Sequence, residues 1–317
     1  MSKPVDVLIL GGGPAGLAVA GGLARQLHTA IVFSSGSFRN GAVSHMHNVP
    51  GWDHENPADF RAKSKEDILS RYSTIQFRDI GVKHIRKLQS GRFEAVDESG
   101  GRHEGRKVVI ASGVRDIMPK IPGYSELWGK GIFHCLFCHG YEERGAPSAG
   151  LLASELLGNS IFAPPVSRMA NRLAGTVNIY TDGNEMLGME IRSVLKSTKK
   201  FRIENRKIKG FSRDPKAQGE AGVLVTLQDG TVNREGFVAH VPTFELNGPF
   251  AKDLGVDIAL QGHINALPPF FNTNIPGVHA AGDCATALKS VTTATMMGSF
   301  VAVGLVHALQ AEDDVQD

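Results

Sequence analysis

The sequence predicts an α/β fold of two Rossmann-like nucleotide-binding domains, the second inserted into the first. Three observations predict it: a glycine-rich loop between a strand and a helix, a later segment that repeats the earlier order of strands and turns, and two proline-bearing connectors. The connectors are Met118–Gly123 and Val241–Phe244. We expect a discontinuous first domain of residues 1–116 and 243–317 and an inserted domain of residues 117–242.

The glycine-rich loop follows a short aliphatic run. Val5–Leu10 has the composition of a buried parallel strand, and GGGPAG leads from it into an apolar, helix-like segment. Gly11 permits the tight turn, Gly13 lets a pyrophosphate approach the backbone, and Gly16 lets helix and strand pack closely. A phosphate there lies on the helix N-terminus, whose N–H groups and dipole favour an anion. An ordinary glycine-rich turn is the alternative.

The second predicted strand, Ala30–Phe33, departs from the dinucleotide-binding pattern. An Asp or Glu about 20 residues after the loop usually binds the ribose hydroxyls. Ser34 and Ser35 stand there instead. A serine hydroxyl can hydrogen-bond to ribose, so the pattern still permits binding and leaves the ribose contact open.

Length and composition indicate a two-domain globular protein. The chain has 317 residues, of which 42% are hydrophobic and 21% charged. A net charge of +2 argues against binding to nucleic acid or to an anionic membrane. No apolar run of 18 residues is evident, and a strand beginning near residue 5 leaves no room for a signal peptide. Three cysteines form no secreted disulfide framework, so we expect a reducing, cytoplasmic setting.

The second half repeats hairpin-like features of the first. In each half, two strand-forming runs flank a glycine turn: Phe93–Asp97 with Lys107–Ala111, and Val223–Leu227 with Phe237–Val241. The repetition predicts two similar halves.

The second half lacks a recognisable phosphate loop. Thr176–Gly183 matches Thr29–Gly36, so the loop should precede it by about 20 residues. Leu151–Ser160 lies there with one glycine where three are wanted, and Glu155 adds a carboxylate. Asp182 follows the strand, where an arginine pair would be needed to bind a 2′-phosphate. This half is expected to have kept its fold and lost its ligand; an atypical NADPH site is the alternative.

The inserted domain carries a dithiol motif, Cys135-Leu-Phe-Cys138-His139. In a helical turn these three side chains stand at i, i+3 and i+4 and share one face. A thiolate is the attacking species in thiol chemistry, and a neighbouring base controls its pKa. Histidine suits that role because its pKa lies near neutrality. The motif therefore predicts a redox-active pair.

Other interpretations of the cysteines remain open. Zinc would need about four ligands and no second C-x-x-C exists, so no metal is expected. A buried structural pair is a second alternative. His134 is a structural histidine or a second base, and Cys284 is a small packing residue or a reactive thiol.

Four motifs occur in the order seen in the low-molecular-weight thioredoxin reductase family: GGGPAG, Ala111–Gly113, C-x-x-C and Gly277–Cys284. The resemblance implies a homodimeric FAD protein whose FAD domain is split around a nicotinamide domain. More narrowly, Cys135–Glu142 and Ser44–Asn48 resemble the dithiol-oxidase branch, typified by fungal gliotoxin oxidase. Those enzymes close disulfides in small secondary metabolites and pass the electrons through FAD to oxygen.

The resemblance also implies residue roles. Cys135 exchanges with substrate, Cys138 passes electrons to the flavin, and His139 replaces the Asp usual in conventional reductases. Asn48 matches a position near the isoalloxazine ring, with a turn-forming role as the alternative. The FAD-binding set is expected to be Gly11, Gly13, Pro14, Ala15, Gly16, Ser34, Ser35, Asn40, Asn48, Val82, Ala111, Ser112, Gly113, Gly282, Asp283, Ser290 and Val291.

These expectations define an FAD-dependent dithiol oxidase. The substrate would be a small dithiol of the epidithiodioxopiperazine type, and oxygen would be reduced to hydrogen peroxide. An NADPH- or ferredoxin-dependent disulfide reductase is the alternative, and a flavin-binding redox sensor is a more distant one. The segment with His45, His47, Trp52 and His54 either lines the substrate pocket or simply packs. A homodimer without nucleic-acid or membrane partners is expected.

Overall fold

A computed structural model describes residues 4–217, 219 and 221–315. In this part of the chain the strands are β1 (Val5–Leu10), β2 (Ala30–Phe33), β3 (Ile75–Arg78), β4 (Val82–Lys87), β5 (Phe93–Asp97), β6 (Arg102–Ile110), β7 (Val114–Ile117), β8 (Ile132–Phe133), β9 (Ala146–Leu152), β10 (Ala174–Tyr180), β11 (Phe201–Glu204), β12 (Ile208–Arg213), β13 (Val223–Leu227), β14 (Val232–Glu235), β15 (Val238–Ala239), β16 (Thr243–Leu246) and β17 (Val278–Ala280). The α-helices are α1 (Pro14–Arg25), α2 (Pro57–Arg71), α3 (Tyr124–Leu127), α4 (Ala163–Leu173), α5 (Glu185–Val194), α6 (Phe250–Leu254) and α7 (Val291–Asp313). Short 3₁₀ turns span Tyr141–Glu143, Glu155–Leu157 and Asp283–Ala285.

The chain divides into two compact units. The first, as far as it is described, comprises Met1–Gly41, Asn56–Arg115 and Phe244–Asp317. The second comprises Ala42–Glu55 and Asp116–Thr243. The segment Ala42–Glu55, which lies within the predicted first domain of residues 1–116 and 243–317, groups with the second unit.

The first unit is built on a mixed sheet in the order β3-β2-β1-β6-β5-β4, with β17 also paired to β6. β1, β2, β3, β6 and β17 run parallel, and β4, β5 and β6 pair antiparallel. Leu8 and Ile9 of β1 are fully buried, as the aliphatic run predicts for a central parallel strand. The predicted hairpin is confirmed, since Phe93 pairs with Gly105 and Val96 with Arg102.

Helix α7 forms much of the core of the first unit and packs on α1. Small residues allow the two helices to approach: a methyl group on Gly22 would lie 2.5 Å from Ala302 Cβ, and one on Gly298 would lie 2.3 Å from Ala15 O. By length and composition α7 could cross a membrane, so the expectation that no such apolar run exists is wrong. Its buried face, which includes Met297 and Leu305, belongs to the core cluster of this unit. This face accounts for part of the apolar character, since 44% of the apolar 18-residue window is buried.

The second unit repeats the topology of the first. Its parallel sheet has the order β11-β10-β9-β15-β8, which corresponds to β3-β2-β1-β6-β17. A three-stranded antiparallel sheet, β12-β13-β14, corresponds to β4-β5-β6. The predicted similarity of the two halves is therefore present in their strand order, and both are Rossmann-like.

The predicted hairpin between Val223–Leu227 and Phe237–Val241 is wrong. β13 pairs with Val232–Glu235 (β14), whereas Phe237–Val241 contributes β15 to the parallel sheet. In the first unit one long strand, β6, makes both pairings. In the second unit the strand is interrupted at Gly236, where a methyl group would lie 2.6 Å from Ala146 Cβ. The hairpin and the parallel strand are therefore separate elements here.

Candidate active site

The glycine loop between β1 and α1 has the geometry of a phosphate cradle. Gly11 has a φ of +129°, and a methyl group there would lie 2.2 Å from Ala111 O. A methyl group on Gly16 would lie 1.9 Å from Gly11 O, so strand and helix approach closely. Gly13, the N-cap of α1, has no atom within 4 Å of a methyl group built on it. The open space lies where a pyrophosphate would approach.

The donors at this loop come from the first turn of α1. No side chain caps the helix at its N-cap, and Pro14 at the first position has no N–H. The N–H groups of Ala15 and Gly16 therefore remain directed at the N-terminal end. This arrangement favours a bound anion. The residues fit the pyrophosphate of FAD.

Gly12 is a further loop residue that the sequence analysis did not single out. A methyl group on Gly12 would lie 2.8 Å from Ser34 Oγ, so only glycine brings the loop this close to the end of β2. Ser34 is half-buried there, and its N–H donates to Arg78 O at 2.9 Å. Ser35 is exposed. Ser34 thus stands where dinucleotide-binding proteins usually have a ribose-binding Asp or Glu, and its side chain packs closely on the glycine loop.

The turn Ala111–Gly113 follows β6 and is fixed by Asn247. Asn247 Nδ2 donates to Ser112 O at 3.0 Å, and Ser112 Oγ donates to Asn247 O at 2.8 Å. Gly113 has a φ of +68°, which a side chain rarely adopts. No local sequence pattern marks Asn247, because its partner lies 135 residues away.

Gly282 and Asp283 lie beside the N-terminus of α1. Gly282 has a φ of +82°, and a methyl group there would lie 3.0 Å from Ala15 Cβ. Asp283 Oδ2 accepts from Arg39 Nη1 at 3.1 Å, a pairing the sequence did not indicate. Cys284 is fully buried and its pKa is raised to about 12 by burial. A thiol with so high a pKa packs and does not react.

Ser290 caps helix α7. Its hydroxyl accepts from Thr293 N–H at 3.0 Å, and Val291 is the first helical residue. The prediction that these two residues open a long helix is confirmed by its bounds. The first-turn N–H groups and the dipole of this helix favour negative charge at that end.

Three further residues predicted to bind FAD, Asn40, Val82 and Asn48, lie on separate segments of the chain. Asn40 Oδ1 accepts from Arg61 Nη1 at 3.0 Å, and Arg61 lies over the Phe38 ring at 3.9 Å from its centroid. Val82 is the half-buried first residue of β4. Asn48 belongs to the second unit, has a φ of +59°, and donates its N–H to Asp53 Oδ1 at 2.8 Å.

The dithiol segment is a single turn that carries a disulfide. Cys135 and Cys138 are bonded, with Cα atoms 5.2 Å apart. The N–H groups of Cys138 and His139 both donate to Cys135 O, at 3.2 and 3.1 Å. The predicted i, i+3, i+4 arrangement is therefore present, although the turn does not continue as a helix. Phe137, between the cysteines, is 71% exposed and presents an apolar ring beside the disulfide.

His139 packs between Phe133 and His47. Its ring stacks on Phe133 with centroids 5.1 Å apart and meets the His47 ring edge-on at 6.1 Å. Burial is the main cause that lowers the pKa of His139 to about 4; His47 lowers it further and Glu142 opposes the shift. The expectation of a near-neutral pKa is thus wrong for the disulfide form. At pH 7 the imidazole is neutral and can accept a proton.

The segment Ala42–Glu55 places a second group of histidines in the same unit. An antiparallel bridge pairs Met46 with Glu55, and His54 N–H donates to Met46 O at 2.8 Å. His45 and His54 stack with centroids 4.3 Å apart, and His47 lies 5.2 Å from His54. The structure therefore brings His45, His47 and His54 together.

His134 directly precedes the dithiol turn. Its ring stacks on Trp128 with centroids 5.6 Å apart. The contact supports a structural role for His134.

The strand-to-helix connection of the second unit differs from the glycine loop. Ten residues separate β9 from α4, where three separate β1 from α1. Asn159 Oδ1 accepts from the N–H groups of Ile161 and Phe162 at 3.0 and 2.9 Å. Ala163 N–H donates to Asn159 O at 3.2 Å, and the next two residues, prolines, have no N–H. Most donors that would bind a phosphate at this helix terminus are therefore engaged or missing.

Asp182 and Arg206 are also engaged within the second unit. Asp182 Oδ1 accepts from Ile208 N–H at 2.7 Å. Arg206 pairs with Glu204 and Asp229. The hydrogen bond holds the Asp182 carboxylate at the end of β10, where its charge would repel a 2′-phosphate. The Arg206 guanidinium already pairs with two carboxylates.

The chain is similar to several known proteins. Residues 5–298 match the family profile described as pyridine nucleotide-disulphide oxidoreductase. Thioredoxin reductase aclD of Aspergillus oryzae is 44% identical over 316 residues, which cover 99% of both chains. Thioredoxin reductase tcpT of Claviceps purpurea is 42% identical over 298 residues, 94% of this chain and 92% of that one. Among solved structures, HlmI has a TM-score of 0.88 at 25% identity, with 100% of this chain and 96% of that chain covered.

Proposed function

Because the chain belongs to the pyridine nucleotide-disulphide oxidoreductase family, we propose that it is an FAD-dependent dithiol oxidase that closes a disulfide in a small molecule. FAD is its cofactor, and it is an oxidoreductase acting on sulfur groups. The observation that carries the oxidase assignment is the N-terminus of α4. The two prolines in the first turn have no N–H, and Asn159 engages the N–H groups of Ile161 and Phe162 just before the helix, so donors that a nicotinamide dinucleotide would need there are missing or occupied.

The thiol chemistry begins at the disulfide. A substrate thiolate attacks Cys135 Sγ, the Cys135–Cys138 bond breaks, and Cys138 leaves as a thiolate. The second substrate thiolate then attacks the substrate sulfur of the mixed disulfide, which closes the product disulfide and releases Cys135. The substrate loses two electrons, which the enzyme dithiol gains. When bound, FAD supplies the acceptor for those electrons and their transfer to oxygen, which yields hydrogen peroxide.

His139 is the proposed acceptor of the proton that a substrate thiol loses. Burial lowers the pKa of His139 in the disulfide form, so its imidazole is neutral and has an unoccupied acceptor nitrogen, although the low pKa by itself makes it a weak base. A thiolate formed beside it favours the imidazolium and raises that pKa. Phe137 offers apolar surface next to the disulfide, which suits a compact organic dithiol such as an epidithiodioxopiperazine precursor.

The test compares electron donors without air. The oxidised holoenzyme is mixed anaerobically with NADPH, NADH or dithiothreitol, and the flavin absorbance is followed. We expect dithiothreitol alone to bleach the flavin, and air to restore it with release of peroxide. Rapid stoichiometric bleaching by NADPH would refute the oxidase assignment. A dithiol diketopiperazine that reacts no faster than dithiothreitol would refute the proposed substrate class.

A disulfide reductase is the second candidate, because the fungal relatives carry the name thioredoxin reductase. It predicts that neither NADPH nor a small dithiol serves as donor if ferredoxin is the reductant. Reduction of a protein disulfide with NADPH or reduced ferredoxin would identify this activity.

The protein is further proposed to be a cytoplasmic homodimer. Met296, Phe300 and Val303 are exposed at i, i+4 and i+7 of α7, and so present an apolar stripe. Light scattering that gave the mass of a single chain at micromolar concentration would contradict the dimer.

A further inference from the structure

We propose that His47, His54 and Glu142 form a binding site for a divalent transition-metal ion of the Zn²⁺ class. One ligand atom from each residue lies within 4.8 Å of the other two. Two imidazoles and one carboxylate are ligands that Zn²⁺ prefers, and three protein ligands with an open fourth position are common in zinc sites. The site is independent of the cysteines, which are bonded to each other.

The backbone explains why the two histidines face each other. The antiparallel bridge between Met46 and Glu55 makes residues 47 and 54 the adjacent opposed pair on the other face. Met46 is buried, which fixes the register of the bridge. His54 has a φ of +64°, a conformation that costs a non-glycine residue free energy and persists only where its surroundings impose it. The backbone therefore places the two histidines opposite each other before any ion binds.

The third ligand comes from the segment that follows the dithiol. Glu142 lies in the 3₁₀ turn Tyr141–Glu143, and its Oε1 is 3.4 Å from His47 Nε2. The other nitrogen of that ring, Nδ1, faces Asp53 Oδ1 at 3.9 Å. Asp53 is held in turn by the Asn48 N–H at 2.8 Å. At 3.9 Å, His47 Nδ1 and Asp53 Oδ1 are too far apart for a hydrogen bond. A small rotation of the Asp53 side chain would bring its carboxylate within reach of the ring, where such a partner orients a metal-ligating histidine and raises its basicity.

Exposure allows the ligands to close on an ion. In a tetrahedral site with bonds near 2.0–2.1 Å, ligand atoms are about 3.3 Å apart, so the three atoms must move inward slightly. His47 is largely buried, whereas His54 and Glu142 are exposed, so rotation of these two side chains can make that adjustment. The His54 ring would then shift against the His45 ring on which it stacks. The same exposure gives an ion a path from solvent.

The experiment uses the oxidised FAD-loaded protein, whose redox cysteines cannot bind metal. After chelator treatment the protein is dialysed against ZnCl₂, and bound zinc is measured together with the thermal midpoint. We expect about one Zn²⁺ per chain and a higher midpoint, because an ion that binds only the folded state stabilises it. His54→Ala and Glu142→Gln should each weaken binding by at least the roughly 10–100-fold that loss of even an outer partner costs.

A matched control is His84→Ala. His84 is an exposed histidine paired with one carboxylate, Asp253 Oδ2, at 3.4 Å, and it lies outside the cluster. Zinc binding should be unchanged in this variant. If both cluster variants bind zinc as the unmodified protein does, or if none of the proteins binds it, the proposal is overturned and His47–Glu142 is an ion pair only. Far-ultraviolet circular dichroism of each variant separates loss of the site from loss of the fold.

Discussion

The open space at Gly13 makes a specific prediction about cofactor binding. Gly13 has a φ of −79°, which any residue adopts, and a Cβ atom built there meets no protein atom within 4 Å. Gly13→Val should therefore fold normally. The branched side chain would, however, fill the space through which the pyrophosphate reaches the N–H groups of Ala15 and Gly16.

The size of the effect follows from those two donors. Hydrogen bonds to charged groups contribute about 1.5–3 kcal/mol each, so losing both weakens FAD binding by about 3–6 kcal/mol. At 1.4 kcal/mol per tenfold change, this corresponds to roughly 10²–10⁴ in the dissociation constant. Gly16→Ala is unsuitable for this test, because its methyl group would lie 1.9 Å from Gly11 O and disturb the fold itself.

The assay is a titration of apoprotein with FAD, followed by visible absorbance and by the unfolding midpoint. Gly21→Ala is the matched control, since Gly21 lies inside α1 and a methyl group there also meets no atom within 4 Å. This control should bind FAD normally and gain about 0.5–1 kcal/mol of stability. Binding by Gly13→Val within about twofold of the unmodified protein would show that the loop is only a turn.

Three further predictions concern the second unit. Cys138→Ser should abolish flavin reduction by dithiothreitol while FAD stays bound; bleaching at the unmodified rate would disprove the electron path. His139→Ala should slow reduction by roughly the 10²–10⁴-fold typical of a positioned base; a change below about twofold would leave His139 a structural role. His240 is buried, hydrogen-bonded to Tyr124 Oη at 2.6 Å, and burial lowers its pKa to about 4 from 6.5. Its contribution is complete above pH 6.5 and is lost as pH falls towards 4, up to about 3 kcal/mol. Urea unfolding should show this loss, and His240→Gln should flatten it; an equal slope in both proteins would contradict the assignment.

The local patterns of the sequence predicted much of the fold. The glycine loop, the first hairpin and the start of α7 at Ser290–Val291 all lie where the sequence places them. Each depends on residues within a few positions of one another: a strand composition, a turn glycine or a capping hydroxyl. The spacing of Cys135, Cys138 and His139 likewise determined a one-face turn, because i, i+3 and i+4 relations need no distant partner.

Tertiary structure decided what depends on distant partners. Gly236 divides the strand after β13 because Ala146 packs against it, and no local signal shows that contact. The low pKa of His139 comes from burial, which the sequence does not reveal. The meeting of His47 and Glu142 joins segments that lie about 95 residues apart in the numbering. Sequence alone therefore determined the elements that depend on neighbouring residues, whereas packing determined where the strand after β13 divides, how the side chains ionise and which distant side chains they contact.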